Sequence, residues 1–306
     1  MTDLGPDLDR ALGFAIPERH ARGRLVRLGP TLDRVLAAHA YPSVIERLLA
    51  EALTLVALIG STLKDPQAQL TMQSRGGQTR GKGAVVELLV CDYCGGEVRG
   101  YVRYNAERLA DVPAAPSLQA LFGETYLAIT FDLATTGERY QGIVPLDGAT
   151  LAEAAENYFV QSEQIPSLVR VGIEKHADGR IVAGGVFLQH LPEGEDGRER
   201  LHTRLDHPEW EHVAALGQTI GADELADAAV PLETLLWRLF NADEVRVLAA
   251  TPIVRGCRCD GDYIFEVLAK FPPEERREMA DEAGMIRVDC HFCAQQFAVP
   301  AGLAAA

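Results

Sequence analysis

Near the C-terminus run Arg255-Gly256-Cys257-Arg258-Cys259-Asp260 and, after a loop, Val288-Asp289-Cys290-His291-Phe292-Cys293. Two tight cysteine pairs brought together across a loop supply four soft thiolates, the donor set of a tetrahedral structural Zn²⁺. The CxC spacing suits an extended segment, whose side chains repeat every second residue, and CxxC is a common knuckle spacing. Three plainer readings compete: two short disulfides, isolated buried thiols, or chance. Chance is disfavoured because four of the six cysteines crowd into this one segment. His291 and His190 are weaker ligand candidates, His291 being the kind of residue that spaces a knuckle.

Between the pairs, residues 263–269 are apolar-periodic, Pro272-Pro273 follows, and residues 274–283 close on Gly284. Pro and acidic residues in a first turn and Gly past the end predict a second helix after the first. Residues 285–289 then alternate as a short strand. A unit this small buries too little apolar surface to fold securely alone, so it is expected to fold with metal and to unfold without it.

The whole chain, 306 residues, has room for two domains or one with an appendage. Its 44 acidic against 29 basic side chains give a formal charge of -15, which argues against nucleic acid as a partner. The N-terminal residues have no basic and apolar signal regions, and the longest apolar run, residues 48–63, carries Glu51 and is too short to span a bilayer. A cytoplasmic protein with no membrane partner is expected. In a reducing compartment paired cysteines more often bind metal or sense oxidants than form permanent bridges.

Working back from the cysteines, residues 190–245 are acidic and helical, with segments at 210–219, 222–229 and 231–241. Leu232, Leu235, Leu236 and Leu239 make an apolar stripe that needs a neighbour to bury it. A polar, Gly-containing loop at 193–200 precedes them. Residues 21–28 alternate as a strand, Thr31 is read as the cap of a helix, and residues 44–63 as a long helix apolar on most sides and central to the core. Three hairpins follow: 84–90 with 97–105, 126–132 with 138–146 around Thr135-Thr136-Gly137, and 169–175 with 181–189 around Asp178-Gly179. A helix over 151–162 is capped by Thr150 with Glu153 three residues on. The expected fold class is α+β: an antiparallel-sheet core domain over 1–190, an acidic helical linker over 191–250, and a small zinc-binding domain over 251–306.

The chain resembles the heat-shock protein 33 family of bacterial redox-regulated holdase chaperones. The resemblance rests on Gly137-Glu-Arg-Tyr-Gln-Gly142, Asn157-Tyr-Phe-Val-Gln-Ser-Glu-Gln-Ile-Pro166, Ala183-Gly-Gly-Val-Phe-Leu-Gln189, Leu236-Trp-Arg-Leu-Phe240 and the C-terminal cysteine pairs, and it covers essentially the whole chain. It implies one Zn²⁺ per chain on Cys257, Cys259, Cys290 and Cys293 in an inactive reduced form. It also implies that oxidants join Cys257 to Cys259 and Cys290 to Cys293, that zinc leaves, and that the linker loosens. Exposed apolar surface then binds unfolding client proteins without ATP, and the protein forms a homodimer. Zinc holds thiolates deprotonated, so the same atoms serve as ligands and as oxidation targets.

Two features depart from the family pattern. Cys91 and Cys94 form a further CxxC placed at the first hairpin's turn, for which two readings compete, an auxiliary redox pair and two incidental thiols. Asp260-Gly261-Asp262 is more acidic than the usual continuation of the CxC. No catalytic constellation, phosphate loop or HExxH pattern is present, so no enzyme is expected. The alternative from another class, a thiol–disulfide oxidoreductase on one CxxC, needs a thioredoxin-like βαβ context that neither pair has.

Overall fold

The computed structural model describes residues 7–79, 82–191 and 207–302; the linker loop at 193–200 lies outside them. Strands β1 (Arg10–Ile16) and β2 (Ala21–Leu28) are followed by helix α1 (Pro30–Leu36) and the long helix α2 (Ser43–Gly60). Then come β3 (Gln69–Arg75), the two-residue β4 (Gln78–Thr79) and β5 (Lys82–Gly83), and the hairpin of β6 (Val86–Cys94) with β7 (Glu97–Tyr104). Helices α3 (Ala106–Leu109) and α4 (Leu118–Phe122) lead to the hairpin of β8 (Tyr126–Leu133) with β9 (Glu138–Pro145). Helix α5 (Leu151–Gln161) precedes the hairpin of β10 (Ser167–Lys175) with β11 (Ile181–His190). The region read as linker, 191–250, holds α6 (Pro208–Gln218), α7 (Ala222–Ala226), α8 (Leu232–Phe240) and β12 (Arg246–Val247); β13 (Thr251–Pro252) and β14 (Val254–Arg255) follow it. The C-terminal module holds α9 (Gly261–Ala269), α10 (Pro273–Glu278), β15 (Met285–Asp289) and β16 (Gln296–Pro300).

The expected antiparallel hairpins form, and their strands divide between two sheets. One runs β10-β11-β2-β1, with β12 and β13 along the outer edge of β1; the other runs β14-β7-β6-β3-β8-β9. Gly95 and Gly96 both have positive φ, the backbone a two-residue hairpin turn needs, and join β6 to β7. Helix α2 lies between the sheets. A Cβ added at Gly185 of β11 would meet Leu58 and Thr54, and one at Gly100 of β7 would meet Leu49 and Leu53, all from this helix. With both flanks covered, α2 is apolar on most sides, as expected of a central helix, and its charged residues Glu46, Arg47 and Glu51 lie toward its first half.

The outer faces differ. Every residue of β11 is buried, because the first sheet is covered on one side by α2 and on the other by the linker. Leu232, Leu235, Leu236, Leu239 and Phe240 of α8, with Trp210 and Val213 of α6, pack against Leu12, Phe14, Ile16, Leu25, Val186 and Leu188. Strand β3 alternates between buried and half-buried positions, since its sheet turns one face outward. The acidic linker also faces arginines. Arg19 pairs with Glu209 at 2.5 Å and Asp243 at 2.8 Å, and Arg10 pairs with Glu233 at 2.6 Å.

Two local readings are corrected and one is refined. Thr31 does not cap α1. Asp9 reaches across from the chain's start to accept the Gly29 and Thr31 N–H groups at 2.9 Å each, while the Thr31 hydroxyl donates to Ile253 at 3.2 Å. Thr150 does cap α5, accepting from Glu153 N, yet the Glu153 carboxylate takes the Ala149 N–H, one residue short of a reciprocal box. The second module helix, expected over 274–283, ends at Glu278. Asp281 turns the chain instead, accepting the Ala283 and Met285 N–H groups at 3.0 Å, and Gly284 follows at φ +74°.

Candidate metal centre

Cys257 and Cys259 lie just past β14, which runs parallel to β7 along the edge of the second sheet. Cys290 and Cys293 form a knuckle between β15 and β16, closed by the Cys290 N–H to Gln295 O at 2.9 Å and the Ala294 N–H to Cys290 O at 2.8 Å. Ala294 takes the left-handed conformation there. The four sulfurs converge. Cys257 Sγ lies 3.1 Å from Cys259 Sγ and 3.6 Å from Cys290 Sγ, and Cys259 Sγ lies 3.3 Å from Cys293 Sγ. All four sit within 4.8 Å of one another.

A zinc ion bound at about 2.3 Å by each of four sulfurs sets tetrahedral edges of about 3.8 Å. The observed cluster has that size and that donor chemistry, so these residues fit the ion, and among the described residues this is the one cysteine–histidine–carboxylate group that does. Sulfurs so close cannot all ionise unaided. Burial pushes the Cys259 thiol well up, and its hydrogen bonds to the neighbouring cysteines add to the rise. Burial likewise raises Cys293. Cys290 is held below the ordinary thiol range: burial opposes this, but backbone N–H groups of Cys293 and Phe292 and the thiols of Cys293 and Cys259 stabilise its thiolate. A bound dication resolves the conflict by favouring the thiolate at every position.

The module's own core is small: Ile264, Leu268, Ile286, Val299 and Ala301. Asp260, singled out for its charge, has a local structural role, accepting the Tyr263 N–H at 2.6 Å to cap α9. The knuckle also docks outward. The Phe292 ring stands edge-on to Tyr101 at 5.1 Å, and the Arg99 guanidinium lies 4.2 Å over it. His291 packs edge-on against Tyr101 at 5.2 Å and is outside the sulfur cluster. Arg258 donates to Gln69 Oε1 at 2.5 Å. These contacts carry no strong sequence signal, since Arg99 and Tyr101 read as ordinary outward residues of an alternating strand.

His190 is placed apart from the cysteines, at the end of β11 beside His207 and Trp210. Cys91 and Cys94 both belong to strand β6 and not to the turn, which is Gly95-Gly96. An odd separation in a strand sends their side chains to opposite faces. Cys91 is fully buried toward α2, and burial drives its thiol well up; Cys94 lies outward, near the Pro66 and Gln67 carbonyls. Neither CxxC opens a helix of a βαβ unit: one is in an antiparallel strand, the other in a hairpin.

The fold and site together define a class: a two-sheet core around a buried helix, covered on one side by acidic helices and ending in a four-thiol module able to hold a metal ion. The family model described as Hsp33 protein matches residues 9–300. The 33 kDa chaperonin of Caulobacter vibrioides is 39% identical, the match covering 96% of this chain and 97% of that one. The 33 kDa chaperonin of Pseudomonas fluorescens is 36% identical over 97% of this chain and 92% of its own length. The crystal structure of the heat shock protein 33 homolog of Thermotoga maritima superposes with a TM-score of 0.77 over 96% of this chain, at 20% identity, a likeness of fold. The chain belongs to the Hsp33 family. No helix among the described residues is long and apolar enough to cross a membrane.

Proposed function

We propose that this chain is an ATP-independent holdase that oxidation switches on, with Cys257, Cys259, Cys290 and Cys293 as both the zinc ligands and the sensor. The observation that carries the reading is that the four sulfurs tie together a module whose own core is five side chains, joined directly to the segment that straps the linker across the core. Bound there, zinc would keep four thiolates ionised at neutral pH and cross-link the two cysteine pairs.

The chemistry balances within each pair. One thiolate attacks a peroxide oxygen, forming a sulfenic acid and releasing hydroxide, which takes up a proton. The second thiolate displaces the sulfenic oxygen, which leaves as water after taking up another proton, so two electrons pass to one peroxide and a disulfide remains. The Cys257 and Cys259 sulfurs lie 3.1 Å apart, which supports a bridge between these two. Disulfide sulfurs are poor ligands, so the module loses its cross-link and its five-residue core does not hold it. Strands β12, β13 and β14 are two residues each and come away with it. Linker and first sheet then part, exposing the leucine stripe of α8 and the apolar face it covers to unfolding clients. The same exposed face supports the expected homodimer of the oxidised form. A reducing cytoplasm as the resting environment, no enzymatic activity and no nucleic-acid partner belong to the same reading.

The test follows metal and client on one sample. Zinc release into a colorimetric chelator and suppression of aggregation of a chemically unfolded client are read before and after peroxide at elevated temperature. Release of about one zinc per chain as protection appears, with both reversed by reductant and zinc, supports the switch. Client protection while zinc stays bound refutes it.

A further inference from the structure

Three residues lie in one cross-strand row of the first sheet: Gly172 of β10 pairs with Gly184 of β11, and Gly184 pairs with Arg27 of β2. Helix α7 of the linker lies directly on this row. A Cβ at Gly172 would overlap the Ala222 carbonyl oxygen, and one at Gly184 would overlap that of Leu225. Both obstacles are backbone, so no rotamer change relieves them. Beside the glycines, the fully buried Arg27 spreads its guanidinium under the end of the same helix. Its Nε donates to Leu225 O at 2.9 Å, Nη1 to Val230 O at 2.5 Å and Nη2 to Glu224 O at 3.3 Å. Burial pushes Arg27 down to about 10, with Asp227 opposing the shift, so it remains charged at neutral pH. Asp7, 3.6 Å from Arg27 Nη1, balances that charge and also accepts the Leu232 N–H at the start of α8.

Leucine stripes bury against many surfaces, whereas the contacts at Gly172 and Gly184 are main chain on main chain. We propose that Gly172, Gly184 and Arg27 form a seat specific for the carbonyl-bearing C-terminal end of α7, and that residues 222–230 occupying it are the latch that holds the linker shut over the core. The latch rests on the holdase reading for its consequence in client binding, but not for its effect on the linker's position. The guanidinium fork satisfies the Leu225 and Val230 carbonyls and shares that of Glu224 with the Asp227 N–H, so partial lifting of the linker strands a buried charge and its acceptors together. Release is therefore all-or-none over this segment.

The test uses the full-length, zinc-loaded, reduced protein in a Trp237→Phe background, so that buried Trp210 of α6 is the sole tryptophan. Gly184→Ala blocks the seat. Gly185→Ala, one residue along the strand, places its Cβ against Leu58 on the opposite face and disturbs the core without touching the linker. The expected result is a red shift of Trp210 emission and client protection without oxidant for Gly184→Ala, with zinc retained, and neither change for Gly185→Ala. Unchanged emission in Gly184→Ala, or equal shifts in both variants, overturns the seat. Should Gly184→Ala fail to fold, Arg27→Lys decides: it keeps the charge but loses the fork, and the red shift must appear there too. Oxidised wild type in the same client assay isolates the holdase reading; if it protects nothing while Trp210 still reports an opened linker in Gly184→Ala, the latch stands and that reading falls.

Discussion

Replacing Phe292 by Ala should loosen the metal knuckle from the core and speed the response of the centre. Phe292 sits between Cys290 and Cys293 and contributes two contacts to the docked state, the Arg99 guanidinium 4.2 Å over its ring and the Tyr101 edge at 5.1 Å. A cation–π contact at a partly exposed site is worth about 0.5–1 kcal/mol, and an aromatic edge-to-face pair about 0.5–1.5 kcal/mol. Together they place the docked knuckle about 1–2.5 kcal/mol below the undocked one, a factor of about 5 to 60 in that equilibrium. If chelator and peroxide reach the sulfurs from the undocked state, zinc release under reducing conditions and thiol loss under peroxide should both accelerate by a factor in that range. Arg99 also pairs with Asp92 at 2.7 Å, so Arg99→Ala alone is ambiguous, and a double-mutant cycle with Phe292→Ala isolates the ring contact. A coupling of about 0.5–1 kcal/mol is expected. Unchanged release and oxidation rates in Phe292→Ala, or strict additivity in the cycle, would show that the knuckle's seat on β7 does not govern access to the centre.

Leu236→Ala removes a buried member of the α8 stripe, at a cost of about 2–5 kcal/mol for a core leucine, and should give client protection in the reduced protein, whereas Trp237→Ala, at 67% exposure, should not; an aggregation assay without oxidant separates them. Glu51, partly buried within α2, accepts the Ala152 N–H at 3.0 Å, yet burial pushes its carboxyl up to about 7. Its folded value lies above the unfolded one, so the folded protein binds the extra proton and this group's contribution to stability rises as pH falls from about 7 toward 4.5. Thermal midpoints at pH 5 and 7.5 should show that trend in wild type, reduced in Glu51→Gln; identical slopes would refute it. Replacing Cys91 and Cys94 together by Ser should leave the peroxide response unchanged, because the strand directs their sulfurs to opposite faces; a slower response, read by zinc release, would restore them as an auxiliary pair.

Much of this architecture is legible locally. Alternation of period two in residues 21–28 and the glycines at 95 and 96 announce a strand and a hairpin, because pleat and turn geometry depend on neighbours one to three residues away. The leucines at 232, 235, 236 and 239 announce a helix face in need of cover for the same reason, and the cysteine spacings announce a metal clip. Nothing local says that the hairpins divide into two sheets around α2, that Asp9 and not Thr31 caps α1, or that two-residue strands at 246–255 stitch the linker to both sheets. Nor does it reveal the docking of Phe292 on Arg99, or of α7 on Gly172, Gly184 and Arg27. In the bare chain Arg27 is one more polar-looking residue of an alternating strand, and Gly184 and Gly185 look equivalent. One glycine meets the linker's backbone and the other meets α2, a distinction made by close approach of main chains far apart in sequence, which no side-chain periodicity encodes.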